Sequence, residues 1–226
     1  MRLCRFAFDD GVARVGLRTR RGDAVIDLSS AGIARLDELL EERSPARTLE
    51  RLTTRTLPRH DLSVVTLLAP VDEQEVWAVG VTYLRSKAAR MDESEFSASA
   101  YDRVYAAKRP ELFFKALPHK VVGTGDAVGI RKDARWSVPE PELVLVLNSR
   151  GALVGYTVGN DMSSRDIEGE NLLYLPQAKI YERSCAVGPF VTVGASEVEA
   201  RTWKIAIEIQ RAGVAVFAGE TSVGQI

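Results

Sequence analysis

The run PELVLVLNSRGALVGYTVGND, from Pro141 to Asp161, sets the strongest limit on what this chain can fold into. Leu143 to Leu147 is an unbroken apolar stretch with the make-up of a buried strand. Asn148-Ser149-Arg150-Gly151 is a turn signal, and a second strand-like stretch follows it, so the run predicts a β-hairpin. RTWKIAIEIQRAGVAVFAGETS repeats the form, with Lys204, Glu208 and Gln210 alternating against Ile205, Ile207 and Ile209. No regular exchange of strands and helices and no internal repeat accompanies them. The larger part of the chain therefore reads as α+β, mainly β, with antiparallel pairing and few helices.

The pattern changes near residue 70. Residues 1–70 read as a small β-rich unit: RFAFDDGVARVGLRTRRGDAVIDLSS alternates around Asp10-Gly11 and Arg21-Gly22-Asp23 as a β-meander does. AGIARLDELLEERSPARTLERLTT has helical apolar spacing, with Ser29 or Ser30 as its expected cap. Residues 71–226 form the second unit. EVWAVGVTY opens it as a buried strand, and the alanine- and charge-rich segment over 84–108 predicts a mostly helical, partly solvent-facing piece or a lid.

Composition excludes several functions. A formal net charge of −1 over 226 residues gives no basic footprint for nucleic acid. No apolar run approaches the ~20 residues that cross a bilayer, and MRLCRFAFDDG lacks the apolar core of a signal peptide. Two cysteines, Cys4 and Cys185, make no disulfide scaffold and predict a reducing, cytoplasmic setting. With only His60 and His119 available, a multi-imidazole zinc site is excluded, and neither histidine sits in a recognisable catalytic elbow.

The chemistry lies at the mouth of the first hairpin. Glu140 and Glu142 are two apart and share a strand face, with Pro141 between them marking an edge or a strand start. Side-by-side carboxylates repel unless a cation joins them. If the two hairpin strands pair, Asp161 arrives at the same end. Three carboxylates without imidazole or thiolate make an oxygen-only set suited to Mg²⁺, Mn²⁺ or Ca²⁺. Such a pair is also ordinary on a solvated edge, and the residues alone leave both readings open.

VGVTY, ELFFKA, PEPELVLV, GYTVGNDMSSRD, QAKIYE and VGPFV occur in that order, over Val76 to Val193. Together they resemble the fumarylacetoacetate hydrolase family. The resemblance implies a mixed β-roll or barrel catalytic domain, with a small N-terminal domain before it. It implies a divalent metal, usually Mg²⁺, on Glu140, Glu142 and Asp161, and a lysine near metal and substrate at Lys179. Arg165 and Asp166 match its SxRD motif, as substrate contacts or a supporting ion pair. Where many C–C hydrolases of the family carry a histidine, this chain has TYLRSKAARMDES. With RPELFFKA and DIEGENLLYLPQAK, that makes it most similar to the 2-keto-3-deoxy-pentonate dehydratases.

That likeness implies a lyase forming 2,5-dioxopentanoate. In that reaction Lys179 is expected to take the C3 proton, Glu111 to assist departure of the C4 hydroxyl, and Arg85 to meet a substrate oxygen as a lid closes. It also implies a homodimer or homotetramer. Hydrolysis or decarboxylation of acylpyruvates or oxaloacetate is the alternative within the family. GETSVGQI stands where the family normally runs on through further strands, so the C-terminal part of the domain is expected to be missing. A truncated, non-catalytic metal-binding subunit is the second alternative.

Overall fold

The computed structural model describes residues 1–80 and 107–225. Apart from residues 107 and 108, the expected helical segment over 84–108 lies outside the described residues, and so does Arg85.

The architecture is mainly β, a ten-stranded sheet curled into a half-barrel with short helices against it. β1 (Arg2–Ala7), β2 (Arg14–Arg18), β3 (Ala24–Asp27) and β4 (Arg59–Asp61) form the expected antiparallel meander. At Asp10 the side chain accepts from the Val12 amide (2.9 Å) and pairs with Arg14 (2.6 Å), while Gly11 supplies a φ of +68°. β5 (Thr66–Leu68) also lies against β1. At its other end β1 pairs with β14 (Val191–Val193), Leu3 opposite Val191, so one sheet takes strands from both sides of residue 70.

β14 continues to β11 (Leu153–Asp161), which also pairs with β13 (Cys185–Val187); β13 runs parallel to β8 (Val121–Val122). β10 (Pro141–Leu147) pairs with β11 through the predicted turn. There the Asn148 side chain accepts from the Arg150 and Ala152 amides (3.0 Å each), and Gly151 takes φ +73°. Three further ladders stand apart: β6 (Val76–Gly80) with β7 (Glu111–Ala116), β9 (Ser137–Val138) with β12 (Ser163–Ser164), and β15 (Lys204–Arg211) with β16 (Val214–Ser222).

Two expectations need correction. The helical spacing after Ser29 does not give a helix capped there. Ser29–Ala31 is a single 3-10 turn ended by Gly32 at φ +88°. The helices are α1 (Leu36–Leu40) and α2 (Pro45–Thr53), the second opened by a proline. The cap of α1 comes from a distance: the Asp72 carboxylate accepts from the Leu36 and Asp37 amides (2.7 and 3.1 Å). Nor are the strands at 143–147 and 76–80 wholly buried. Leu145 and Leu147 are 53% and 52% exposed and Trp77 is 53% exposed, because β10 and β6 each have one strand neighbour among the described residues.

The core lies between the helices and the sheet. Leu36, Leu39 and Leu49 pack on Leu3, Val15, Leu17, Val191 and Val193, all of them buried. Leu49→Ala should cost about 2–5 kcal/mol through the cavity it leaves. Urea unfolding followed by circular dichroism measures that loss, and an unchanged midpoint would mean the helices do not support the sheet.

Candidate metal centre

The register of β10 against β11 builds the site. Glu142 lies opposite Gly159 and Pro141 opposite Asn160. The ladder runs one step further, with the Asp161 amide donating to the Glu140 carbonyl (2.9 Å) and the Glu140 amide to the Asn160 side chain (3.0 Å). Glu140 and Asp161 are thus cross-strand neighbours on one face, and Glu142 shares it by strand parity. One oxygen from each of the three carboxylates lies within 4.8 Å of the others. Asp161 is buried, and Glu140 and Glu142 are half-buried.

This crowding leaves an electrostatic signature. Burial first, and then repulsion from Asp161 and Glu140, pushes the Glu142 carboxyl up to about 8. Cations surround the cluster. Lys179, the last residue of α4 (Leu175–Lys179), reaches Asp161 Oδ2 at 2.8 Å and contacts Glu140 Oε2. Burial alone would lower the Lys179 ammonium, yet Glu140 and Asp161 outweigh it and hold the group above its ordinary value.

Arg165 opens α3 (Arg165–Glu170). Its Nη2 meets Glu140 Oε1 at 2.5 Å and its Nη1 stands 3.5 Å from Glu168. Both Glu140 oxygens therefore face a cation. Glu142, between its two acidic neighbours, is the carboxylate this arrangement leaves electrostatically unfavourable. An all-oxygen set with such an excess suits a hard dication.

The other expected residues are placed differently. Asp166 is not in the cluster: its Oδ2 accepts from the Arg135 amide (2.7 Å), which anchors the segment before β9 and holds the carboxyl below its usual range. Arg165 pairs with Glu140 and donates its backbone amide to the Trp136 carbonyl (2.7 Å). Glu111 heads β7, its carboxylate lying over Gly80, and is not one of the three clustered acids. His60 packs edge-on against Phe8 in the meander, its ring centroid 4.8 Å away. The buried Cys185 thiol is pushed up to about 12, chiefly by burial, and lies opposite Asp161 in the ladder.

Sequence reasoning passed over Lys115. It contacts Asp161 Oδ1 and is 2% exposed. The lysine in ELFFKA was the only signal, and its strand parity gave no hint of where it points.

Residues 75–223 match the family described as fumarylacetoacetate (FAA) hydrolase C-terminal, and the chain belongs to that family. A probable 2-keto-3-deoxyxylonate dehydratase of Haloferax volcanii is 50% identical over 157 residues, 70% of this chain and 54% of that protein. A 2-dehydro-3-deoxy-D-arabinonate dehydratase of Saccharolobus solfataricus is 38% identical over 173 residues, 75% of this chain and 58% of that protein. The chain thus spans little more than half the length of these relatives. Among solved structures, 2-keto-3-deoxy-D-arabinonate dehydratase complexed with magnesium and 2,5-dioxopentanoate superposes with a TM-score of 0.74 at 30% identity, covering 100% of this chain and 78% of that one.

Neutralising Glu142 separates the two forces at the site. Glu142→Gln should raise the melting temperature of EDTA-stripped protein, because it removes a carboxylate held against its neighbours' charge. The same variant should lose the further rise that Mg²⁺ gives the wild type. Thermal melting with and without the cation reads both, and a lower melting temperature in EDTA would contradict the repulsion.

Proposed function

We propose that this chain carries the active site of a divalent-metal-dependent lyase that dehydrates a 2-keto-3-deoxy-pentonate to 2,5-dioxopentanoate, with Mg²⁺ as the cation. The observation that carries this reading is the convergence of Glu140, Glu142 and Asp161 within 4.8 Å beside Lys179. The relatives named as dehydratases of such acids support the substrate class. The neighbour complexed with magnesium and the dioxo acid supports the metal and the product.

A divalent cation on these oxygens supplies a Lewis acid for the 2-keto carbonyl and weakens the acids' hold on the Lys179 proton. The chain's own residues do the rest. Lys179, fixed at the end of α4, takes the proton from C3. Glu111, when protonated, hands its proton to the departing C4 hydroxyl. Loss of water leaves an unsaturated keto acid, which isomerises to the dioxo product. Arg165 steadies Glu140, Asp166 fixes the loop beside it, and Arg85 meets a substrate oxygen.

Assembly as a homodimer or homotetramer is part of the same proposal, supported by Leu145 and Leu147 exposed side by side on one face of β10. So is a cytoplasmic location, which the two free, buried cysteines fit. No helix among the described residues is long and apolar enough to cross a membrane.

Turnover of 2-keto-3-deoxy-arabinonate with Mg²⁺ and with EDTA tests the reaction. Product is expected with Mg²⁺ alone, and Lys179→Ala should lower kcat by about 10²–10⁴. Product formation in EDTA would remove the metal, and full turnover in the lysine variant would remove the base. Sedimentation velocity tests assembly: a monomer at micromolar concentration would end the oligomer proposal, and Leu145→Lys with Leu147→Lys should dissociate an assembly formed through β10.

A further inference from the structure

Lys115 is held in an unusual way for a lysine on a short strand. In the β6–β7 ladder Phe114 lies opposite Trp77 and Ala116 opposite Val76, so Lys115 is an extra residue with no partner in β6. A bulge of this kind breaks strand alternation and re-aims a side chain. Lys115 and Ala116 are accordingly both buried. The ammonium donates to the Met162 carbonyl (3.0 Å) and the Lys179 carbonyl (2.5 Å), and it forms an ion pair with Asp161 Oδ1. These come from the end of β11, the residue after it, and the last residue of α4.

We propose that Lys115 is a positioning residue of the metal centre, orienting the Asp161 carboxylate and the Lys179 main chain together. The proposal rests on the metal-centre reading above. The two Asp161 oxygens are divided between two lysines, Oδ1 to Lys115 and Oδ2 to Lys179. Asp161 is therefore held against rotation, and the oxygen beside Lys179 stays on the Glu140 side, where Lys179 contacts both acids. The same ammonium grips the carbonyl of Lys179, so one group fixes the root of that side chain and the acid its tip touches. Ser184 Oγ also donates to that carbonyl (2.8 Å) and is not among Asp161's partners, which makes it a natural control.

The sign of the effect makes the idea testable. By Coulomb's law, deleting a cation beside a dication site should tighten dication binding. A positioning role predicts the reverse. The experiment is Mn²⁺ titration, read by electron paramagnetic resonance, of the EDTA-stripped wild type, Lys115→Met, Lys115→Gln and Ser184→Ala, with kcat and KM measured at saturating Mn²⁺. The expected result is wild-type binding, Kd raised about ten- to a hundredfold in either folded Lys115 variant, and little change in Ser184→Ala. At saturating metal the Lys115 variants should lose kcat with KM nearly unchanged.

Unchanged or tighter Mn²⁺ binding in the Lys115 variants would overturn the proposal and leave Lys115 as a fold staple alone. Equal losses in Ser184→Ala would also overturn it, because Asp161 would then not be the route. A wild type that takes up no Mn²⁺ would bring down the metal-centre reading itself, and this proposal with it.

Discussion

The register of β10 on β11 is the constraint on which the site depends. A shift of one residue would turn Glu140 and Glu142 to the opposite face and separate them from Asp161. What pins it is unevenly spread. The Asn148–Gly151 turn fixes one end, helped by Glu41, which accepts from the Ser149 amide (2.6 Å) and pairs with Arg150 (3.0 Å). The Asn160 side chain and the Asp161 amide fix the other end by binding Glu140's main chain. The acids are thus brought together by backbone geometry, against their own repulsion.

Three basic residues answer the three acids, and they approach from different parts of the chain: Lys115 from β7, Arg165 from the start of α3 and Lys179 from the end of α4. Buried charge of this density is tolerated only where partners are close and well aimed. Here most pairings also join separate elements, so the electrostatics and the tertiary arrangement specify each other. Asp166 and Arg165 divide the work of the SxRD motif, one holding the loop ahead of β9 and the other holding a cluster carboxylate.

Much of this was legible in the sequence. Both hairpins follow from alternation and turn residues, and the acidic cluster follows from strand parity once the first hairpin is drawn. The failures share a cause, which is information held far away in the chain. The cap of α1 is Asp72, more than forty residues from the serines that local rules favour. Leu145 and Leu147 look like core because an edge strand and a central strand can have the same composition. Lys115 was passed over because one unpaired residue in β7 cancels the alternation from which side-chain direction is read. Its partners, Asp161 and the Lys179 carbonyl, lie 46 and 64 residues further on.

Two of the three clustered acids belong to, or border, a strand that has a single hydrogen-bonded neighbour among the described residues. Edge strands open more readily than central ones, and local opening here would pull Glu140 and Glu142 away from Asp161. Strand pairing and cation binding are therefore thermodynamically linked. An ion that draws the three carboxylates together fastens the rim of the sheet, and a rim that frays surrenders the ion. A strand at the rim of the sheet is thus the one whose order the chemistry rewards.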